Sequence, residues 1–345
     1  MLILAWLLPP FIALLGAAGL CTVAIRFAPG LRFVDRPGSE AHKLHGRTIP
    51  YGGGPAMAMA VIAALLCSLV LPLPEAGAGL PWAVLAGAIA LVAIGMVDDV
   101  RPLPAKLKLA VQMLICAAAV TLADLPVDFL RHYHPILAWL AAFGWLLLMT
   151  NAYNLLDHAD GLSGSVALVG CAALAGGAML GGDPAASRMW LSLAAALAGF
   201  LLLNRPPARI YMGDAGSLAI GFLIGCGTLS TTFWPSDQGG SALALLSPVL
   251  ICAIPLFDTG AVIVKRLRRG KPLMRGDRNH ISHRLTRLGV GPKASLGAVI
   301  ALQVGLASSS FQLRNADPIS AIVALAQAAA ICVALVLLET SRDHG

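Results

Sequence analysis

LPWAVLAGAIALVAIGMVDDVRPLPAKLKLAVQMLICAAAVTLAD (80–124) decides the fold class. Residues 80–97 carry no charge, and about 20 such apolar residues are enough for a helix to cross a hydrocarbon core. The run stops at Asp98-Asp99, a polar turn DDVRPLPAKLK (98–108) follows, and a second apolar run occupies 108–124. Further apolar runs, separated by polar loops or short turns, follow along the chain. Spans are predicted at 3–25, 53–72, 80–97, 108–124, 135–152, 163–181, 186–203, 214–233, 243–264, 293–311 and 318–339, eleven in all. Composition agrees, since only 12% of the 345 residues are charged against about 25% in soluble domains. The expected fold is all-α: a polytopic membrane helix bundle of about eleven transmembrane helices, one integral-membrane domain over 1–345.

The charges orient this bundle. Loops 26–52, 98–107, 153–162, 204–213 and 265–292 and the C-terminal tail fall on one face. With helix-end residues assigned to the nearer face, that side holds all of the 24 Lys and Arg except Arg131, Arg188 and Arg314. Positive residues mark the cytoplasmic side, so the N-terminus is expected outside and the C-terminus in the cytoplasm. The net charge of +7 resides at helix ends rather than on an exposed domain. Phosphate groups and anionic lipid therefore fit better than nucleic acid. Seven cysteines lie inside apolar runs without CxxC spacing and read as small core residues. The first apolar run lacks a basic leader and reads as a retained span. Pro248 and Pro255 predict a broken ninth helix with Asp258 inside it.

Five polar stretches fall on the same face: HKLHGRTIPYGGG (42–54), DDVRPLPAKLK (98–108), NAYNLLDHADGL (151–162), RIYMGDAGSL (209–218) and RGDRNHISHRL (275–285). The adjacent carboxylates Asp98 and Asp99 at a membrane boundary repel one another, which can leave one as a usable base; the plain alternative is a solvated helix end. Lys106 and Lys108 suit phosphate, or they snorkel from a helix end. Asn151, Asn154, Asp157 and Asp160 recur every three residues, a spacing that shares one broad helix face. Their oxygens are of the hard type that suits Mg²⁺, while a C-cap and turn would use the same residue types. Asp214 opens the eighth span, where free N–H groups could receive phosphate or the carboxylate could simply cap. His280 and His283 sit in a loop that, with its flanks 265–293, holds ten Lys and Arg. Together these residues point to metal-assisted phosphoryl transfer.

In this order, and spread over nearly the whole chain, the motifs resemble the polyprenyl-phosphate N-acetylhexosamine-1-phosphate transferases, the WecA/MraY superfamily. The matching elements are DRPGSEAHKLHGRTIPYGGG (35–54), the Asp98-Asp99 pair with its downstream lysine, Asn-x-x-Asn-x-x-Asp-x-x-Asp-Gly-Leu, MGDAGSL and the histidine loop. The resemblance implies transfer of a sugar 1-phosphate from a UDP-N-acetylhexosamine to undecaprenyl phosphate at the bacterial inner membrane, on its cytoplasmic side, with release of UMP. It implies Mg²⁺, with Mn²⁺ as a substitute, held by Asn154 and Asp214. Asp98 would be the base with Asp99 beside it. Asp157, Asp160 and Asn151 would form the nucleotide site. Lys108, Lys43, His45, Arg278, His280, His283 and Arg284 would bind phosphates, and a homodimer is allowed.

Two departures bear on the sugar. Many members have Asp-Gly-x-Asp-Gly where this chain has Asp157-His158-Ala159-Asp160-Gly161. The loop His280-Ile281-Ser282-His283 lacks the longer histidine run of the muropeptide transferases, which disfavours a muropeptide donor. The competing classes are a transporter and a lipid-sugar binding protein on the same scaffold. A transporter should place its ionisable groups near the midplane and often shows inverted repeats; here the acids lie at span ends and no repeat is visible.

Overall fold

The computed structural model describes residues 1–28, 30, 33–35, 48–71, 73, 81–125, 127–131, 133–231, 242–268, 270, 290–314 and 317–340. The chain divides into two compact units, Met1–Thr231 and Thr232–Gly345. In the first, α1 (Leu2–Phe27) leads into a short antiparallel ladder of β1 (Val34–Asp35) and β2 (Ile49–Pro50), with Val34 opposite Pro50. The helices α2 (Gly53–Val70), α3 (Trp82–Val100), α4 (Ala105–Leu122), the short α5 (Asp128–Arg131), α6 (Pro135–Leu156), α7 (Leu162–Leu180), α8 (Pro184–Asn204) and α9 (Gly213–Ser230) follow. In the second unit, a 3₁₀ turn (Ala242–Leu246) precedes α10 (Ser247–Ile251), α11 (Ala253–Arg268), α12 (Pro292–Arg314) and α13 (Pro318–Thr340).

In each of the eleven predicted segments the described residues are predominantly helical. Among the described residues, eight helices are long and apolar enough to cross a membrane, or nine if the bent α10–α11 pair is one span. The helix α9 stands outside that set. It starts with Gly213-Asp214, is rich in glycine and buries nearly every residue, so its surroundings are protein rather than lipid.

The side-chain distribution is that of a bundle solvated by lipid. The buried face of α1 is Ala5, Pro9, Ala13, Ala17 and Cys21, all small, one every four residues. Its opposite face exposes Leu4, Leu7, Phe11 and Leu15. Hydrocarbon tails solvate leucine well, so close approach through small residues, rather than burial of large ones, drives contact between helices. Such approach positions the first unit's polar end. A Cβ at Gly95 of α3 would strike the backbone of Ala215, and one at Gly54 of α2 would strike that of Gly216. Both helices thus meet the first turn of α9 backbone to backbone, and Asp98-Asp99 arrives beside Asp214. Below this contact, Val84, Leu91, Cys116, Leu146, Leu218 and Phe222 form a shared core of α3, α4, α6 and α9.

The predicted break at the prolines is present. The segment Leu243–Ile251, which joins the 3₁₀ turn to α10, and α11 are bent by 72° relative to one another. Pro255 has no N–H for the carbonyl four residues back, and that carbonyl, Ile251 O, instead accepts from Gln303 Nε2 of α12 at 2.7 Å. Ser247 Oγ donates to Ser310 O at 3.2 Å, fixing α10 on α12. Two of the cations that depart from the charge asymmetry, both in the first unit, are satisfied locally. Arg131 pairs with Asp124. Buried Arg188 gives its protons to the carbonyls of Ala5 (2.9 Å), Leu71 (2.6 Å) and Ser68 (3.3 Å). The seven cysteines are free thiols, five of them buried, as the apolar settings predicted.

Candidate active site

Four helix ends of the first unit bring the predicted acids together. Asp98 and Asp99 come from the last turn of α3, Lys108 from the first turn of α4, Asn154 from the last turn of α6, and Asp214 from the first turn of α9. Lys108 Nζ donates to Asp98 Oδ2 at 3.0 Å and also to Asp214 Oδ2. The other Asp98 oxygen accepts the Leu103 N–H at 2.7 Å, so the loop after α3 turns back onto the carboxylate. Asp214 Oδ1 accepts from Asn154 Nδ2 at 2.8 Å, and the same amide reaches Ser217 Oγ at 3.0 Å.

Asp99 does something else. Its two oxygens accept the backbone N–H groups of Asp214 (2.8 Å) and Ala215 (3.3 Å). A carboxylate at a helix N-terminus satisfies unpaired donors and complements the positive end of the dipole. Asp99 is therefore the cap of α9, delivered from another helix, and these two N–H groups are not open to phosphate as the sequence suggested. Gly213, with φ +72°, places its Cα where a side chain would collide with the Asp99 carboxylate. Only glycine suits both the left-handed backbone and the close approach.

The three-residue spacing holds for half of the 151–160 series. α6 ends at Leu156 with Asp157 as its C-cap, so Asn151 and Asn154 share the helix while Asp157 and Asp160 lie on the turn. Asn151 gives its amide to Gln112 Oε1 (2.9 Å) and to Leu147 O (2.9 Å), a contact inside the bundle. Asp160 Oδ2 accepts the Ala208 N–H at 2.8 Å. Asp157 has its carboxyl pushed up to about 8 by burial, then by the charges of Asp214, Asp99 and Asp160. A carboxyl raised in the folded state stabilises the fold fully below its unfolded value near 4. That contribution is lost as pH rises toward 8. In EDTA, Asp157→Asn should therefore melt progressively higher than the parent as pH climbs from 5 to 8.5; parallel melting curves would refute this.

Several residues at the site escaped the sequence reading. Buried Asn204 accepts the Gly161 N–H at 2.9 Å and donates to Ile210 O at 2.7 Å, tying the 157–161 turn to the loop before α9. Gly161 has φ +74° there. Loss of one buried partner costs about 1–3 kcal/mol, so Asn204→Ala should lower stability in detergent by about 2 kcal/mol. Asn204→Asp keeps the acceptor but sets a buried carboxyl against the Ile210 carbonyl, so it should not recover the loss. Tyr211 donates its N–H to Pro50 O (2.9 Å) and accepts from Gly53 N (3.0 Å), and its ring lies 6.3 Å from that of Tyr51. Burial, then Asp160, pushes the Tyr211 phenol well above its usual value. The β1–β2 ladder is thus stitched to the loop that precedes Asp214. A signal is present in the sequence for both, since Tyr211 lies inside the RIYMGDAGSL stretch (209–218) and Asn204 opens the loop before it. Lys43, His45, Arg278, His280, His283 and Arg284 lie outside the described residues.

No group of three or more His, Cys, Asp and Glu forms a metal cage among the described residues. A small divalent ion that keeps its waters and takes substrate phosphates as ligands needs only one or two protein oxygens. The charge balance is suited to such an ion: Asp99 and Asp157 both feel the charge of Asp214, and among the described residues the ammonium paired with Asp98 and Asp214 is that of Lys108.

Residues 81–232, which include Asp98, Lys108, Asn154 and Asp214, match the model for glycosyl transferase family 4. A Bacillus subtilis protein named probable undecaprenyl-phosphate N-acetylglucosaminyl 1-phosphate transferase is 28% identical over 312 residues, covering 88% of this chain and 84% of its own. A decaprenyl-phosphate N-acetylglucosaminephosphotransferase of Mycolicibacterium smegmatis is 32% identical, covering 76% and 71%. An undecaprenyl-phosphate alpha-N-acetylglucosaminyl 1-phosphate transferase of Yersinia pestis is 30% identical, covering 77% and 73%.

Proposed function

The chain belongs to glycosyl transferase family 4, and from that membership we propose that it transfers N-acetylglucosamine 1-phosphate from UDP-N-acetylglucosamine to undecaprenyl phosphate. The observation that carries the reading is the junction of Asp98, Lys108, Asn154 and Asp214 at four helix ends. A membrane-bound acceptor phosphate and a soluble nucleotide sugar can meet only where apolar and polar surroundings adjoin. Acids lying at one end of the bundle, with a paired lysine, favour this chemistry over transport across the midplane.

In the reaction, an oxygen of the lipid phosphate bonds to the β-phosphorus of the donor. The bond from that phosphorus to the bridging oxygen breaks, and its electron pair leaves with UMP. The product is a polyprenyl pyrophosphoryl sugar. Asp98, held by the Leu103 N–H with its second oxygen toward Lys108, takes the acceptor's proton or orients its anion. Asp99 positions Asp214 through the first turn of α9. Lys108 supplies positive charge to a phosphate oxygen. Asp157 and Asp160, with Asn151 behind them, border the nucleotide end. Lys43, His45, Arg278, His280, His283 and Arg284 clamp the diphosphate. Asp214 and Asn154 would hold Mg²⁺, or Mn²⁺ in its place, which when bound neutralises diphosphate charge.

The asymmetry of the 24 Lys and Arg supports eleven spans, an external N-terminus, a cytoplasmic C-terminus and a site facing the cytoplasm of a bacterial inner membrane. Purified protein given undecaprenyl phosphate, Mg²⁺ and a panel of UDP-sugars tests the reading. UDP-N-acetylglucosamine should be the preferred donor, and preference for a UDP-muropeptide would contradict the assignment.

A further inference from the structure

We propose that Lys108 is the internal counter-ion of the Asp98–Asp214 pair, and that its ammonium and a divalent cation exclude one another from Asp214. The inference rests on the reading of Asp214 as a cation ligand given above. Both oxygens of the Asp214 side chain have a donor. Oδ2 accepts from Lys108 and Oδ1 accepts from the Asn154 amide. The residue's own N–H is held by Asp99, so its backbone cannot withdraw to open a place. Each oxygen keeps a second lone pair, but a cation bound to this carboxylate would lie close to the Lys108 ammonium, and of the two donors present the ammonium carries the charge that repels it.

The displaced group has somewhere to go. Lysine carries its charge on a flexible four-carbon stem and is a compact point charge. Asp98 Oδ2, at 3.0 Å from Lys108 Nζ, remains as an anchor when Asp214 is given up. The stem starts in the first turn of α4, beside the loop rather than deep in the bundle. Cation entry and release of Lys108 toward an incoming phosphate are then one exchange. The carboxylates are never left without a counter-charge, and the lysine is freed only when the ion is in place.

Two measurements without substrates test this. The first is Mn²⁺ binding to detergent-purified protein, followed by electron paramagnetic resonance. Lys108→Gln should bind Mn²⁺ at least 10-fold more tightly than the parent, Lys108→Arg should not, and Asp214→Asn should abolish binding. Equal or weaker binding by Lys108→Gln, with Asp214→Asn still inactive in binding, would overturn the exchange while leaving the ligand assignment intact. Unchanged binding by Asp214→Asn would instead remove the ligand assignment. The second uses the unaltered protein and so does not depend on a variant folding. Acetylation of Lys108 by an amine-selective reagent, read by mass spectrometry, should proceed several-fold faster in Mn²⁺ than in EDTA. Equal rates would overturn the proposal.

Discussion

Asp214→Asn is expected to reduce transfer at least about 10³-fold while the protein still purifies folded. The carboxylate accepts from Lys108 and from Asn154, and in the proposed reaction it holds the divalent ion. Removal of one preorganised electrostatic partner from a reacting site costs about 10²–10³ in rate, and loss of the ion would add to that. Folding should survive because the cap of α9 uses the Asp214 backbone N–H, not its side chain. The measurement is initial-rate UMP release alongside a thermal melt. Near-parental activity would show that the residue is not a ligand or partner of the reacting phosphates.

Asp98→Asn is the second large effect, and its comparison with Asp99→Asn separates the two neighbours. The Asp98 carboxylate accepts the Leu103 N–H on one oxygen and the Lys108 ammonium on the other; an amide oxygen can keep the backbone bond while Lys108 retains Asp214, so the fold should persist. Loss of a positioned base lowers rates by about 10²–10⁴, and that range is expected for kcat. Asp99 accepts two N–H groups at the head of α9. An amide there has one oxygen for two donors and no charge for the helix dipole. Asp99→Asn should therefore lower the melting temperature as well as the rate. Equal stability losses in the two variants would refute this division of labour.

The fold was legible where the physics is local. A long uncharged run must be helical in a bilayer, because no other segment satisfies its own backbone groups there. The described residues of all eleven predicted segments are predominantly helical, and Pro248 and Pro255 marked the one that bends. The helix α9 shows where local reading stops: its apolar run is interrupted by Asp214 and glycines because it is enclosed by protein. The members of the site were legible as residue types at helix ends. Their pairings were not. Nothing near Asp99 in sequence indicates that it caps a helix more than a hundred residues later. Three-residue spacing suggested that Asp160 lies on a helix face, but the helix ends before it and the residue holds a loop. Asn204 opens the predicted 204–213 loop, and its role appears only when Gly161 and Ile210 are brought to it. Contacts between segments distant in sequence carry those assignments.

Donor labelled with ³²P at the β-phosphate, given to purified protein with undecaprenyl phosphate, tests the central claim most directly. Transfer of a sugar 1-phosphate requires the label to move into the lipid fraction while unlabelled UMP accumulates. Label retained in a released UDP would mean that only the sugar moves, and would contradict the account.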